Sequence, residues 1–536
     1  MPKLNIDGQD IEVPAGENLV LAARRIGVEV PVFCYHEKLS IAANCRMCLV
    51  EIEKMPKLQP ACQTVATDNM IVKTSSPKVI EARAAVMEFL LVNHPLDCPI
   101  CDKAGECMLQ DNYMGHDGKS SRQQDTKTAK PRLEVLGPLV NYNAERCIMC
   151  TRCVRFMDEI PKNTQLGVFG RGDRNVIGVF DGKPLDDPYS LNVVELCPVG
   201  ALGSLDFRFE SRVWSLDKTN SVCDGCSKGC NTETHSKKEH VYRMIPRRND
   251  SVNDTWMCDE GRLSYHAHEE QRAEEPLTDG KRASDATALS AALGVLANAV
   301  KEKGNGWGVF ISPTLTNEGA FAWLSYVKAN MAQAKVYFSG RADGVGDQLL
   351  RRADKNPNRA GIKAIAEALG IPVGTYTDGI TAKPLRVVML GTETPDDRIS
   401  SIVNAAQASL VIGAHLTQAF KGAKVALLSG TVFESDGSFV NEDGRVQRVR
   451  PCHGVKFAGK SYADWAVMLS QGLDKAVGAK TFAWANTESV FADLANAVKG
   501  FSGMRLLGLG LHGKALGSGR ATESPSHQQA SSPVGA

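Results

Sequence analysis

Fifteen of the sixteen cysteines lie between Cys34 and Cys258, and with one histidine they sort into four groups of four. Cys34, Cys45, Cys48 and Cys62 read C-x10-C-x2-C-x13-C. His94, Cys98, Cys101 and Cys107 read H-x3-C-x2-C-x5-C. Cys147, Cys150, Cys153 and Cys197 read C-x2-C-x2-C-x43-C-P, and Cys223, Cys226, Cys230 and Cys258 read C-x2-C-x3-C-x27-C. Thiolates at such steps hold tetrahedral metal ions or iron–sulfur clusters, so the spacing predicts four metal centres in one half of the chain.

Tight C-x2-C steps suit zinc as well as iron. Zinc ribbons, however, pair two two-cysteine knuckles, whereas three of these groups combine a compact run of ligands with one distant partner. The run Cys147–Cys153 with Cys197-Pro198 is a ferredoxin signature, and the spacing from Cys34 to Cys62 is that of plant-type two-iron loops. Iron–sulfur ligation is therefore expected, with zinc as the alternative. Disulfides are weakest, because a chain this long can build a core without staples and shows no secretory leader. In the second group, spacing leaves His94 and His116 as rivals for the fourth position.

The elements that must position these residues follow from the patterning. With 536 residues, 43% hydrophobic and 23% charged, the chain is long enough for several domains. Net charge is +1, which gives no field for nucleic acid. No window approaches ~18 consecutive apolar residues, so no direct membrane span is expected. Residues 3–13 alternate around Asp7-Gly8 as a hairpin, and a helix is predicted over Asn18 to Ile26. A short strand is expected just before Cys34, and another in LVEIE after Cys48. Ser76-Pro77 opens a helix as N-cap and first residue, and that helix carries the chain to His94. Residues 112–137 read as a loop.

Arg146, Arg152 and Arg155 flank the third group. Solvation of a surface helix is the preferred reading, and offsetting of cluster charge is the alternative. From Glu274 onward, buried runs such as Gly308–Ser312, Ala334–Gly340, Arg386–Gly391, Ser409–Ala414 and Ala423–Gly430 alternate with helical stretches, predicting an open, mostly parallel sheet. Gly430 to Gln447 reads as a turn-rich segment near the strand ends. Cys452-His453 reads as a structural thiol beside a surface histidine rather than a catalytic pair. The Ser-, Gly- and Pro-rich end is expected to be disordered.

The stretches NCRMCLVEIE, MEFLLVNHPLDCPICDKAGECMLQD and RCIMCTRCVRF resemble the large iron–sulfur subunit of respiratory complex I, densely over residues 1–272 and more weakly in LLRRADKNPN and GSFVNEDGR. The resemblance implies an α+β multidomain chain. A β-grasp [2Fe–2S] domain would span 1–77, a [4Fe–4S] domain with one histidine and three cysteine ligands 78–117, a ferredoxin-like [4Fe–4S] domain 138–208 and a Mo/W-oxidoreductase-type [4Fe–4S] domain 216–272. A molybdopterin-oxidoreductase-like α/β domain without that cofactor would span 273–513, with a disordered tail over 514–536. Cys34, Cys45, Cys48 and Cys62 would hold [2Fe–2S]. His94, Cys98, Cys101 and Cys107 would hold one [4Fe–4S], Cys147, Cys150, Cys153 and Cys197 a second, and Cys223, Cys226, Cys230 and Cys258 a third, off the main path.

The implied function is electron relay within NADH:quinone oxidoreductase, from an NADH/FMN-binding subunit towards quinone-site subunits. The setting would be the cytoplasmic face of the bacterial inner membrane, peripheral through the complex, and no catalytic residue is expected in this chain. Two departures stand out: Ala43 where the family often has glycine, and a C-terminal domain shorter than the longest members'. A molybdenum enzyme such as an NAD-linked formate dehydrogenase is the first rival. Against it, Cys258-Asp259-Glu260-Gly261 lacks a lysine just after the last cysteine, and few residues remain for a bis-pterin cofactor. An iron-only hydrogenase would need further cysteine motifs, and a zinc scaffold fits the two-iron spacing poorly.

Overall fold

The computed structural model describes residues 1–392 and 397–517, and the chain divides into two compact units, Met1–Leu216 and Asp217–Ala536. In the first unit the hairpin forms as its alternation predicts: β1 (Lys3–Ile6) pairs with β2 (Gln9–Glu12) across Asp7-Gly8, where Gly8 takes a φ of 87°. Helix α1 (Leu19–Arg25) starts where Asn18 accepts the Leu21 N–H, and it buries Leu19, Val20, Ala22 and Ala23. These pack on a sheet completed by β3 (Leu49–Ile52), β4 (Gln59–Pro60) and β5 (Ile71–Lys73), in the order β2-β1-β5-β3-β4. The strand expected before Cys34 does not form. Pro31 has no N–H to give a ladder, so residues 28–33 run as an irregular lead into the cysteine loop.

Helix α2 (Pro77–Leu91) begins at the predicted proline, but Ser76, although at the cap with extended backbone, makes no capping hydrogen bond. His94 lies three residues past the helix, its N–H on the Leu91 carbonyl at 3.2 Å. Helix α3 (Met108–His116) occupies the start of the segment expected to be loop. Strands β6 (Glu134–Val135) and β7 (Val140–Tyr142), helix α4 (Arg152–Glu159), hairpin β8–β9 (Leu166–Phe169, Val176–Val179), helix α5 (Asn192–Leu196) and β10 (Leu202–Ser204) carry the third cysteine group.

The second unit opens with an antiparallel sheet of β11 (Asp217–Val222), β12 (Asn231–Lys237) and β13 (His240–Pro246), then two short helices, α6 (Asp259–Arg262) and α7 (Tyr265–Glu269). A hairpin, β14 (Leu277–Thr278) and β15 (Lys281–Arg282), leads through α8 (Asp285–Lys301) into the predicted open sheet. Its parallel strands are β16 (Trp307–Ile311), β17 (Lys335–Phe338), β18 (Val373–Gly374), β19 (Arg386–Leu390), β20 (Ala408–Gly413) and β21 (Val425–Leu428). The full order is β15-β14-β21-β20-β19-β16-β17-β18, with the β14–β15 hairpin added antiparallel at one side.

Helices α9 (Asn317–Asn330), α10 (Arg359–Leu369), α11 (Tyr376–Ala382), α12 (Asp397–Ala405) and α13 (Gln418–Gly422) provide the crossovers. Two apolar clusters cover this sheet, one including Val309, Ile311 and Leu410 and the other Phe310, Val387 and Val411. Alternate residues of β16 thus face opposite cores, as a sheet buried on both sides requires. Hairpin β22–β23 (Gly437–Val440, Arg445–Val449) and helices α14 (Tyr462–Val477) and α15 (Thr487–Ala497) follow. The tail expected to be disordered from residue 514 begins in order: β24 (Lys514–Ala515) adds to β23, and residues 518–536 lie outside the described residues. The fourth cysteine group, expected as its own domain, shares one compact unit with the α/β sheet.

Candidate metal centres

The first group occupies the loop between α1 and β3, with Cys62 just after β4. Cys34, Cys48 and Cys62 are buried and Cys45 half-buried. Their thiols crowd one another: hydrogen bonds from Cys45 and Cys62 hold Cys34 low, a hydrogen bond from Cys62 holds Cys48 low, and the donating thiols Cys45 and Cys62 are pushed up. The Cys34 N–H also points at the Cys45 sulfur, at 3.5 Å. Ala43 and Arg46 adopt φ values of 50° and 62°, the left-handed region that glycine enters freely, so the departure noted at Ala43 falls on a strained position.

The third group rings a cavity lined by Cys147, Cys150, Cys153 and Cys197 together with Tyr142 and Arg152. Met149 and Thr151 alternate into the left-handed region between the cysteines (φ 51° and 59°), and the Met149 N–H reaches the Cys147 sulfur at 3.4 Å. Burial pushes the Cys150 thiol up to about 12 and Cys153 well above its ordinary value. A buried thiolate set of this kind is stable only around positive charge, which a metal centre supplies.

In the second group Cys98 is exposed, Cys101 half-buried and Cys107 buried. Burial raises Cys101 and Cys107, with Cys98 and Cys101 respectively adding repulsion. His94 is lowered to about 4, by burial first and then by Arg146 and Lys127, so its imidazole is neutral and able to ligate. His116 is also lowered, by burial and then Arg83, so protonation does not separate the two candidates.

The fourth group sits in the β11–β12 turn, with Cys258 at the start of α6, and all four thiols are buried. Burial, then Cys230, Asp224 and the other cysteines, pushes Cys223 well above its ordinary value, and burial pushes Cys258 up to about 12. N–H groups of Gly225 and Gly261 reach the Cys223 and Cys258 sulfurs at 3.3 Å each. A Cβ on Gly261 would lie 2.9 Å from the Cys223 sulfur, so only glycine lets the backbone approach this set. Among the described residues no three or more of His, Cys, Asp or Glu converge on a position for a single ion.

Sequence reasoning missed how the groups are joined. Arg152 is buried, not a solvated surface residue. Its guanidinium donates to the carbonyl of Tyr35, beside Cys34, and to that of Leu196, beside Cys197, at 3.4 Å. Arg155 donates to the carbonyls of Cys34 (2.6 Å) and Cys150 (3.2 Å), joining ligand residues of the first and third groups, and Asn44 donates to Met149. Arg146 pairs with Asp97 at 2.9 Å, and Met108 N–H bonds the Pro198 carbonyl at 3.1 Å, joining the second group to the third. A Cβ on Gly200 would fall 2.1 Å from the Cys101 sulfur. The third group thus stands between the first and the second. The only signal for this in the sequence was three arginines interleaved with ligands.

The fourth group has other neighbours. Ser227 and Lys228 bond Glu442 (2.7 Å) and Asp443 (2.9 Å), and Gln447 donates to the Gly229 carbonyl at 2.8 Å. Arg341 and His268 each hold Asp224 at 2.8 Å. Burial works against the Asp224 charge, but His268 and Arg341 keep its carboxyl far below the usual range. The segment expected merely to lie near strand ends therefore grips the Cys226–Cys230 loop. Cys452 is half-buried and pushed up to about 11 by burial.

Four family models match in order: a 2Fe-2S iron-sulfur cluster binding domain (2–77), the NADH-ubiquinone oxidoreductase-G iron-sulfur binding region (83–122), the NADH-quinone oxidoreductase subunit 3 ferredoxin-like domain (137–203) and the NADH-ubiquinone oxidoreductase NDSU1/NuoG-like 4Fe-4S domain (216–266). The G-type subunit of NADH-quinone oxidoreductase from Rickettsia bellii is 42% identical over 276 residues, 52% of this chain and 40% of that protein. The mitochondrial NADH-ubiquinone oxidoreductase 78 kDa subunit of Neurospora crassa is 46% identical over 278 residues, 51% of this chain and 37% of that protein. The G-type subunit from Streptomyces coelicolor is 34% identical over 400 residues, 74% of this chain and 47% of that protein. The matched stretch thus spans less than half of each relative. Over its cysteine-bearing half the chain is a homologue of the G-type subunit of NADH-quinone oxidoreductase, and that half matches four iron–sulfur domain models in succession.

Proposed function

We propose that the chain is an electron-relay subunit of NADH:quinone oxidoreductase, passing electrons from an NADH/FMN-binding subunit towards quinone-site subunits. Cys34, Cys45, Cys48 and Cys62 would hold [2Fe–2S]. His94, Cys98, Cys101 and Cys107 would hold [4Fe–4S], as would Cys147, Cys150, Cys153 and Cys197, and Cys223, Cys226, Cys230 and Cys258. Such clusters supply one-electron transfer when bound. The protein's own part is to fix the ligands, exclude water and set the charge around each site.

The observation that carries this reading is Arg155, whose guanidinium spans the carbonyls of Cys34 and Cys150. A relay needs adjacent centres at a fixed separation, and one side chain hydrogen-bonded to a ligand residue of each provides it. No described helix is long and apolar enough to cross a membrane, so attachment at the cytoplasmic face of a bacterial inner membrane would run through partner subunits. The α/β domain is read as a molybdopterin-oxidoreductase-like fold working without that cofactor.

Anaerobic elemental analysis of the purified chain tests the assignment. One two-iron and three four-iron centres give about 14 irons per chain without molybdenum. Stoichiometric molybdenum would make the α/β domain catalytic, and zinc in place of iron would end the relay reading.

A further inference from the structure

We propose that Arg152 is a counter-charge shared by the first and third centres, a positioning residue whose fixed positive charge makes both easier to reduce. The proposal rests on the cluster assignment just given. Arg152 is only 6% exposed and lines the cavity that Cys147, Cys150, Cys153 and Cys197 surround. One arm of its guanidinium reaches the Tyr35 carbonyl beside Cys34, and the other reaches the Leu196 carbonyl beside Cys197. Its Nε is buried without a hydrogen-bond partner, and no Asp or Glu pairs with it among the described residues. That is unusual company for a buried arginine.

A guanidinium does not give up its proton in a protein, so it cannot escape burial by neutralising. A buried charge persists only where something of opposite sign compensates it. Burial opposes the Arg152 charge, and what faces its guanidinium is the cavity ringed by Cys147, Cys150, Cys153 and Cys197 and the loop of Cys34, two different sets. Carboxylates are the usual partners and would cancel its field locally. Here the field is left for the thiolate centres. One-electron reduction places one further negative charge on a centre, with the electron coming from an external donor and no proton from Arg152. A nearby fixed positive charge favours that state. Because the same guanidinium faces both sets, it acts on both, which keeps successive steps of the relay close in potential instead of favouring one.

The test is a redox titration of the full iron-loaded chain with dithionite as electron donor, following the two-iron and four-iron electron paramagnetic resonance signals separately. Arg152→Gln is expected to lower the reduction equilibrium constant of both centres by about tenfold, about 59 mV for one electron. Arg152→Lys keeps the charge but loses the forked hydrogen bonds, and both constants should stay within about twofold of the parent. The proposal is overturned if Arg152→Gln moves neither centre or only one, or if Arg152→Lys falls as far as Arg152→Gln. Should Arg152→Gln not retain iron, Arg152→Lys decides alone: unchanged potentials support a charge role, and a tenfold fall rejects it. A parent chain lacking the two signals would defeat the cluster assignment instead, a result distinct from either.

Discussion

The third and fourth cysteine sets have nearly the same local grammar, yet the cations beside them are partnered differently. Around the third set, Arg152 and Arg155 donate to backbone carbonyls beside or within the ligand sets. Around the fourth, Arg341 is neutralised by Asp224, which His268 also holds, and Lys228 is matched by Asp443. The charge of Arg152 is left facing the third set, whereas those of Arg341 and Lys228 beside the fourth are matched by carboxylates. The contrast separates a set hydrogen-bonded to its neighbouring sets from one held by loops of the α/β part of its own unit.

Removing a ligand from each set breaks the comparison hardest. Cys153→Ser takes a fully buried thiolate from the third set, and electron transfer through the assembled complex is expected to fall at least about a hundredfold. Cys226→Ser should cost similar iron while leaving that rate within about twofold. Turnover and iron content measured together check both, and equal loss of turnover would show that the fourth set is also on the path.

The next largest effect comes from opening the paired cation. Asp224→Asn keeps shape but removes the charge that compensates Arg341 and that His268 hydrogen-bonds inside the fold. Breaking such a buried pair is expected to destabilise the second unit by about 3 kcal/mol, read from the shift of its urea midpoint. The same change frees the Arg341 field, so the fourth centre's reduction constant should rise about tenfold. Loss of stability with an unmoved potential would mean that the network is structural only.

How much of this was legible beforehand follows from what each feature depends on. The candidate ligand groups stood out because cluster chemistry demands fixed short spacings, and the strands Arg386–Leu390 and Val425–Leu428 were readable because a doubly covered parallel sheet forces unbroken apolar runs. Arg152 was misjudged because a helix residue among polar neighbours looks solvated until the partner loop at Tyr35 is placed, 117 positions away. The stretches LLRRADKNPN and GSFVNEDGR stood out without an evident role. Structure supplies it: Asp354 accepts the Ser227 N–H at 2.9 Å, Arg352 pairs with Glu442, and Glu442 holds Ser227. Both wrap the fourth loop. Long-range polar contacts of this kind leave no period in a sequence. The strand lost before Cys34 and the helix gained at Met108–His116 were errors of local pattern, one overruled by Pro31.

A pH measurement sharpens the contrast from within the second unit, whose buried acids are not all ionised. Glu318 is fully enclosed and raised to about 7 by burial, against the hydrogen bonds that Ser438 gives it at 2.7 and 2.8 Å. Its folded value lies above its unfolded one, so between roughly pH 4.5 and 7 the folded state binds more protons. Stability from this group is complete below pH 4.5 and falls as pH rises, by about 3 kcal/mol in all. Glu318→Gln should flatten that slope in denaturant titrations across the range, and an unchanged slope would assign it to other groups.

The smallest effect tests whether the first loop carries strain that the fourth avoids with glycine. Ala43 sits at φ 50°, where a Cβ crowds its own backbone, while Gly261 supplies the close approach at the Cys223 sulfur without that cost. Left-handed geometry costs a non-glycine residue about 1–2 kcal/mol, and glycine's greater freedom when unfolded returns part of this. Ala43→Gly should therefore raise the stability of the first unit by only about 0.5 kcal/mol, with the two-iron spectrum unchanged. Gly261→Ala runs the other way, pushing a methyl towards two sulfurs and lowering iron retention at the fourth set. If Ala43→Gly instead destabilises the loop, the left-handed turn is imposed by cluster ligation and not merely tolerated. The two loops would then differ in what fixes their backbone as well as in how they treat charge.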